Sequence, residues 1–268
     1  MQKKIAVVGL GWLGLPLAKS LAEKGYDLIG STTRAEKLMR LLKSNLSVRI
    51  IKLTKNNVEG NWTNFIKNVD LLIINLPPRN KINEKKDYPQ QIKQLISRCE
   101  PTLKVIFVSS TSVYKNANEH VSEDESMHLD LESGALLLEA ETIIRNHFKN
   151  NATIVRFAGL IGEGRHPGKF LERAEMIKNP TGKVNLIRLQ DCIELIDKIY
   201  HQNYFGEIVN GCADEHPTRK EFYTKAAESL TISPPSFEED QKEEWKIVNN
   251  EKSKRELGMI YSSIWDEI

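Results

Sequence analysis

The sequence has little from which to build a disulfide or metal scaffold. Its 268 residues include three cysteines, Cys99, Cys192 and Cys212, widely spaced and without a C-x-x-C pair. That spacing argues against a cysteine framework or a zinc knuckle and points to a reducing, cytoplasmic setting. Charge of one sign is also lacking: 38 Lys and Arg stand against 36 Asp and Glu, a net charge of +2. Without a clustered basic face there is no electrostatic footprint for nucleic acid and no polybasic anchor for a membrane surface. Long apolar runs are missing as well, since none approaches the roughly 18 residues of a spanning helix. Ile5–Leu10 is short and runs into a glycine turn, so it reads as a strand rather than a leader. The expected class is a soluble globular protein.

What is present is a regular alternation of apolar and amphipathic segments. Ile5–Gly9 reads as a strand, followed by Leu13, Leu17 and Leu21 at helical spacing and a stop at Gly25. Tyr26–Thr33, Val48–Leu53, Asp70–Leu76, Lys104–Ser109 and Thr153–Phe157 read as further strands. Arg34–Lys43, with Leu38, Leu41 and Leu42 inward, Tyr88–Ser97 and Leu136–Phe148 read as helices. Leu71–Ile74 is apolar throughout, as a parallel strand covered on both faces must be. The alternation predicts a doubly wound α/β fold with a parallel Rossmann-type sheet and a smaller C-terminal substrate lobe. The dinucleotide-binding domain is expected over 1–158, with 184–210 returning to it, and the smaller lobe over 159–183 and 211–268. Gly159–Gly168, with four glycines and a proline, reads as a loop, and Glu207–Asn210 as a short strand.

The strongest local signal is Gly9-Leu10-Gly11-Trp12-Leu13-Gly14, a G-x-G-x-x-G between a strand and a helix. Gly9 serves the tight turn, Gly11 lets the backbone approach a pyrophosphate, and Gly14 lets helix and strand pack closely. With Trp12 and Leu13, these residues are expected to seat the pyrophosphate on the amino end of the helix, where the dipole favours an anion. An NAD site places an acid at the tip of the second strand, about 20 residues on, to hold the ribose 2′-hydroxyl. Here the tip reads Gly30-Ser31-Thr32-Thr33-Arg34, and Asp27 lies at the wrong end of the strand. Ser31, Thr32 and Arg34 suit a 2′-phosphate, so NADP is the expected cofactor ahead of NAD.

Further along, Val105-Ile106-Phe107-Val108-Ser109-Ser110 leads into Thr111-Ser112-Val113-Tyr114. With Ile154-Val155-Arg156-Phe157, Leu189-Gln190-Asp191-Cys192, Ile208-Val209-Asn210 and Leu257-Gly258, this resembles the extended short-chain dehydrogenase/reductases, in their NAD(P)-dependent epimerase/dehydratase branch. The resemblance spans nearly the whole chain. It implies that Ser110 holds a substrate oxygen, and that Ser109, Leu76 and Pro77 lie beside the cofactor. It also implies pairing into a homodimer through the helices Tyr88–Ser97 and Leu136–Phe148. Two departures matter. Extended members space their glycines G-x-x-G-x-x-G, and their catalytic Tyr-x-x-x-Lys is matched here by Ser133 and Leu137. A serine has no comparable acidity and a leucine offers neither charge nor hydrogen bond, which places the chain with the atypical members.

Another acid or base must then serve. Tyr114 follows Ser110 by four residues, and Gly162-Glu163-Gly164-Arg165-His166-Pro167-Gly168 sets an imidazole and a guanidinium between glycines. His166 titrates near neutrality and Arg165 suits a carboxylate or phosphate. Ser110, Tyr114 and His166 are the catalytic candidates, and Ser133, Arg165 and His166 the substrate-binding ones. No metal spacing occurs among the histidines, and Glu123-Asp124-Glu125 reads as solvated surface. The leading reading is an oxidoreductase or epimerase/dehydratase-like enzyme for a small polar or nucleotide-sugar-like substrate. The alternative is a catalytically silent NADP(H)-binding sensor. A third reading starts from the glycine loop and Asn75-Leu76-Pro77, which also resemble β-hydroxyacid dehydrogenases; those continue into an all-helical domain.

Overall fold

The protein, as a computed structural model, is described over residues 2–43, 46–78, 86–124, 132–173, 176–238 and 244–268. Thirteen strands follow one another along these residues. They are β1 Lys4–Val8, β2 Asp27–Thr32, β3 Ser47–Ile50, β4 Lys52–Leu53, β5 Val58–Glu59, β6 Leu71–Ile74 and β7 Lys104–Ser110. Next come β8 Glu119–Val121, β9 Ala152–Phe157, β10 Gly159–Ile161, β11 Leu186–Arg188, β12 Ile208–Gly211 and β13 Lys246–Val248. Seven form one sheet in the order β12-β9-β7-β6-β1-β2-β3. Strand order reverses beside β1, the arrangement of a doubly wound dinucleotide fold. β1 pairs in parallel with β2 and with β6, and β6 in parallel with β7.

The sequence explains this sheet. Ile5–Val8 and Leu71–Ile74 are buried along their whole length, because helices cover both faces of a parallel sheet. Helix Gly14–Glu23 turns Leu17, Ala18 and Leu21 into the core. It stops where Gly25, at φ +87°, donates its N–H to the Ala22 carbonyl. Helix Ala35–Leu42 departs from expectation. Leu41 is buried, Leu38 half-buried and Leu42 exposed, because only one stripe of so short a helix reaches the core.

Other expectations change too. The run Val48–Leu53 is not one strand: β3 ends at Ile50, and Lys52–Leu53 turns away to pair antiparallel with Val58–Glu59. Gly159–Ile161 is not loop but a strand, paired in parallel with Leu186–Arg188. β8 and β13 form a third small pairing, also parallel.

The chain divides into two compact units. The first comprises residues 1–113, 130–155 and 196–208; the second comprises 114–129, 156–195 and 209–268. Segment 114–129 therefore groups with the later residues, and 196–208 with the earlier ones. In the second unit the helix Arg219–Ser229 starts on a capping box between Thr218 and Glu221. Leu171, Ile177 and Ala227 form a small core there with Tyr223, Ile232 and Phe237. No helix among the described residues is long and apolar enough to cross a membrane.

Candidate active site

The glycine loop is held both from within, where the Gly11 N–H donates to the Gly9 carbonyl at 2.8 Å, and by its neighbours. The Gly9 N–H donates to Ser31 Oγ at 3.0 Å, the Leu10 N–H donates to the Ser31 carbonyl at 2.8 Å, and Asn75 Nδ2 donates to the Gly9 carbonyl at 3.2 Å. Gly9 takes φ +99°, and a Cβ there would lie 2.3 Å from the Asn75 carbonyl oxygen. At Gly14 a Cβ would lie 2.1 Å from the Gly9 carbonyl oxygen. Gly11 is different, for its nearest such neighbour is 4.0 Å away. Two glycines thus serve packing, and the third leaves open space where a ligand backbone approach is needed. No side chain caps the helix that follows and no acid stands in its first turn, so nothing there cancels the positive end of the dipole.

Beside this loop lies a cavity of about 550 Å³. Its walls include Gly9, Gly11, Ser31, Thr32, Thr33, Arg34, Leu76 and Pro77, so seven of the sequence-derived cofactor residues (all but Thr33 in that set) come together. Trp12, Leu13, Gly14 and Ser109 are not among them. Leu13 is buried and Gly14 is packed on Gly9. Ser109 is also buried, and its hydroxyl donates to Glu141 Oε1 at 2.5 Å, so it is turned into the protein rather than toward the cavity.

Lys37, Lys52, Tyr88 and Gln91, which the sequence did not mark as cofactor residues, line the same cavity, as does Asn75 beside Leu76 and Pro77. Lys37 was legible in principle, since it stands one helical turn after Arg34 and so shares its face. Burial, then the charges of Arg34 and Arg40, pull the Lys37 pKa below its ordinary value. Tyr88 donates its hydroxyl to the Leu76 carbonyl at 2.7 Å, and burial, then the Glu141 charge, push its pKa up. Among the described residues the cavity wall has three cations and no carboxylate.

The three catalytic candidates divide between the units: Ser110 falls in the first, Tyr114 and His166 in the second. Ser110 Oγ accepts the Ser112 N–H at 3.1 Å, which caps the short turn Thr111–Val113. In the helix Glu132–Phe148, Leu137 is buried, and the Ser133 side chain lies outside the described residues. Tyr114 is 3% exposed. Its hydroxyl donates to Asn210 Oδ1 at 2.8 Å and accepts from Arg156 Nη1 at 2.9 Å, and the Arg156 guanidinium also lies over its ring. Burial pushes its pKa up to about 12, against the opposing pull of Arg156. A phenol so engaged is a poor proton carrier near neutrality.

Glu123 corrects an expectation. It is buried rather than solvated, because one oxygen of its carboxylate accepts the Asn210 N–H at 2.7 Å. Burial raises its pKa. Glu125 lies outside the described residues. Tyr114, Arg156 and Asn210, all quoted for the family resemblance, therefore meet in one buried polar network.

His166 is half-buried. Its Nδ1 accepts the Gly168 N–H at 3.1 Å and its Nε2 lies 3.4 Å from Ser229 Oγ. Burial, then Lys169, lower its pKa, while Glu267 opposes them. Arg165 donates its backbone N–H to the Gly162 carbonyl, which closes a turn through Gly162 and Gly164 at positive φ. No group of residues among those described could hold a metal ion.

Comparison with known proteins places this geometry. Protein YeeZ of Escherichia coli (strain K12) is 34% identical over 263 residues, 97% of this chain and 96% of that protein. The chain belongs to the YeeZ family. A family model for the NAD binding domain of 6-phosphogluconate dehydrogenase matches residues 4–131. UDP-glucuronic acid 4-epimerase from Bacillus cereus in complex with NAD is 18% identical, with a TM-score of 0.82 over 98% of this chain and 95% of that one. MoeE5 in complex with UDP-glucose and NAD is 17% identical, with a TM-score of 0.81 over the same shares. The YeeZ-family chain thus shares the Rossmann-type fold of these NAD-bound structures. The matching family model, however, is of the 6-phosphogluconate dehydrogenase type rather than the short-chain type, in keeping with the G-x-G-x-x-G spacing. The all-helical continuation of β-hydroxyacid dehydrogenases does not appear, because β8, β10, β11 and β13 lie in the later residues.

Proposed function

We propose that this chain binds NADP(H) in the glycine-loop cavity and works as an oxidoreductase or epimerase/dehydratase-like enzyme on a nucleotide-sugar-like substrate. One observation carries the cofactor choice: the cavity wall has Arg34, Lys37 and Lys52 and, among the described residues, no carboxylate. A ribose 2′-hydroxyl is normally held by an acid, whereas a 2′-phosphate needs cations and hydroxyl donors. Ser31, Thr32 and Thr33 supply the hydroxyls. Burial, then the charges of Arg34 and Arg40, lower the Lys37 pKa, and a phosphate seated beside Arg34 and Lys37 relieves the part that comes from like charge. When bound, the cofactor supplies hydride chemistry. In the first unit Ser110 is proposed to hold a substrate oxygen; in the second unit, taken by itself, His166 is the proposed proton-handling group and Arg165 the proposed anion-binding one.

The experiment is a titration with NADPH and NADH. NADPH is expected to bind more tightly. Replacing Arg34 and Lys37 together by Ala should weaken NADPH by roughly ten- to a hundredfold, the value of one charge-assisted contact or two, and leave NADH nearly unchanged. Tighter binding of NADH by the unaltered chain sinks the NADP assignment. Failure of both nucleotides to bind at micromolar levels sinks the cofactor site altogether.

The second reading, a silent NADP(H) sensor, is favoured by Tyr114. The phenol closest in sequence to Ser110 is locked between Arg156 and Asn210. Tight NADPH binding without hydride transfer to any nucleotide sugar or small carbonyl compound supports that reading over the enzyme.

A further inference from the structure

We infer that the flank of the helix Glu132–Phe148 carries a binding site for a phosphate dianion, apart from the glycine-loop cavity and independent of the cofactor reading. A second hollow, of about 310 Å³, is walled by Thr142, Arg145, Asn146, Lys149, Asn150 and Gly206. None of the six borders the cofactor cavity, and all belong to the first compact unit. Thr142 is followed three and four residues later by Arg145 and Asn146, and these in turn by Lys149 and Asn150. That spacing sets them on one stripe of the helix and of the short turn Lys149–Asn151 that continues it. Gly206 closes the other side at φ +95°, and a Cβ there would lie 3.4 Å from the Asn150 Cα. The lack of a side chain at 206 keeps the hollow open.

The wall selects the ligand. Arg145 and Lys149 are exposed and, among the described residues, their side chains have no hydrogen bond or ion pair. Like charges four residues apart repel one another, and no carboxylate among the described residues of the wall neutralises either. The helix dipole accounts for one cation in the last turn, Arg145. It does not account for Lys149, which lies beyond the helix at φ +49° and still lines the hollow. A dianion supplies both missing charges: the guanidinium clamps two of its oxygens and the ammonium meets a third. Asn146 and Asn150 add carboxamide donors. The hollow runs along the helix flank from Thr142, so much of it is clear of the negative helix end, whose influence is confined to the last turn. No aromatic or aliphatic residue lines it, so nothing there holds a base or an acyl chain. A phosphodiester, with one charge, leaves one cation unmatched. The class is therefore phosphate itself or a phosphate monoester.

The test is an amide NMR titration of the full chain with glycerol 3-phosphate, inorganic phosphate and dimethyl phosphate, the last a diester. Glycerol 3-phosphate or inorganic phosphate is expected to shift the Gly206 amide with a Kd of about a millimolar, the strength of two exposed charge-assisted contacts. Dimethyl phosphate should bind at least about tenfold more weakly. Arg145→Gln combined with Lys149→Gln should weaken the dianion about tenfold or more, and both side chains are exposed, so the fold should be kept. Arg34→Ala combined with Lys37→Ala should leave the Gly206 response unchanged, which separates this site from the cofactor cavity. Tighter binding of glycerol 3-phosphate than of inorganic phosphate supports the proposal with a monoester as ligand, and equal binding supports it with the free ion. No shift of Gly206 with either dianion overturns it. So does a response that survives the Arg145 and Lys149 changes, one lost through the Arg34 and Lys37 changes, or one that dimethyl phosphate matches.

Discussion

The hydroxyl of Tyr114 joins the carboxamide of Asn210 to the guanidinium of Arg156, which is fully buried. Removing it as Tyr114→Phe takes one partner from each of two buried polar groups, a loss of about 1–3 kcal/mol. The phenyl ring keeps the cation–π contact with Arg156 and most of the packing. Because Tyr114 is not part of the cavity wall, NADPH affinity should be unchanged while the urea midpoint falls. A variant with intact stability and lost turnover would instead restore Tyr114 as the proton carrier. The same contrast explains what the sequence could reveal at this scale. A Tyr, an Arg and an Asn at family positions are visible as types, but whether they face a ligand or one another depends on strands far apart in the chain. Glu123 was misjudged for the same reason, since its partner is the backbone of Asn210 and nothing in its acidic neighbourhood announces that.

Elements that repeat a period over many residues were readable, and those that depend on one distant partner were not. β1, β6, β7 and the helix after Gly14 follow from apolar runs and helical spacing, since each buries a long continuous face. β8 and β13 are three residues each and exist only because Glu119–Val121 meets Lys246–Val248, so no local periodicity marks them. The glycine loop allows a finer separation of fold from binding. Gly11→Ala meets no heavy atom closer than 4.0 Å, so thermal stability should be kept while NADPH affinity falls about tenfold or more through lost backbone approach. Gly14→Ala drives a methyl to 2.1 Å from the Gly9 carbonyl oxygen, and overpacking of that kind costs about 1–3 kcal/mol. Calorimetry with and without NADPH distinguishes the two. Equal destabilisation in both variants would mean that Gly11 is as much a packing residue as Gly14.

At the scale of the whole molecule, the scarcity of cysteine has a thermodynamic consequence. Cys99, Cys192 and Cys212 are all free and buried, and burial raises each thiol pKa, to about 12 for Cys99 and Cys212. Burial likewise raises Tyr114, to about 12, and moves Tyr88 and Tyr261 in the same direction. In the unfolded chain thiols ionise near 8.5 and phenols near 10. Between those values and the folded ones the native state binds more protons than the unfolded state, so stability falls as pH rises. Each thiol in that window contributes a slope of about 1.4 kcal/mol per pH unit. Lys246 opposes them. Burial lowers its pKa to about 8, and its ammonium donates to the Tyr114 carbonyl. Between about 8 and the ordinary lysine value near 10.4 it is the unfolded state that binds the Lys246 proton, which adds stability with rising pH. One lysine against three thiols leaves a net loss, so the urea midpoint should drop steadily from pH 8 to pH 10. Cys99→Ala, which removes one thiol, should flatten that decline, and Lys246→Met should steepen it. A midpoint that stays level or rises over this range would mean that the thiols are not kept protonated by the fold.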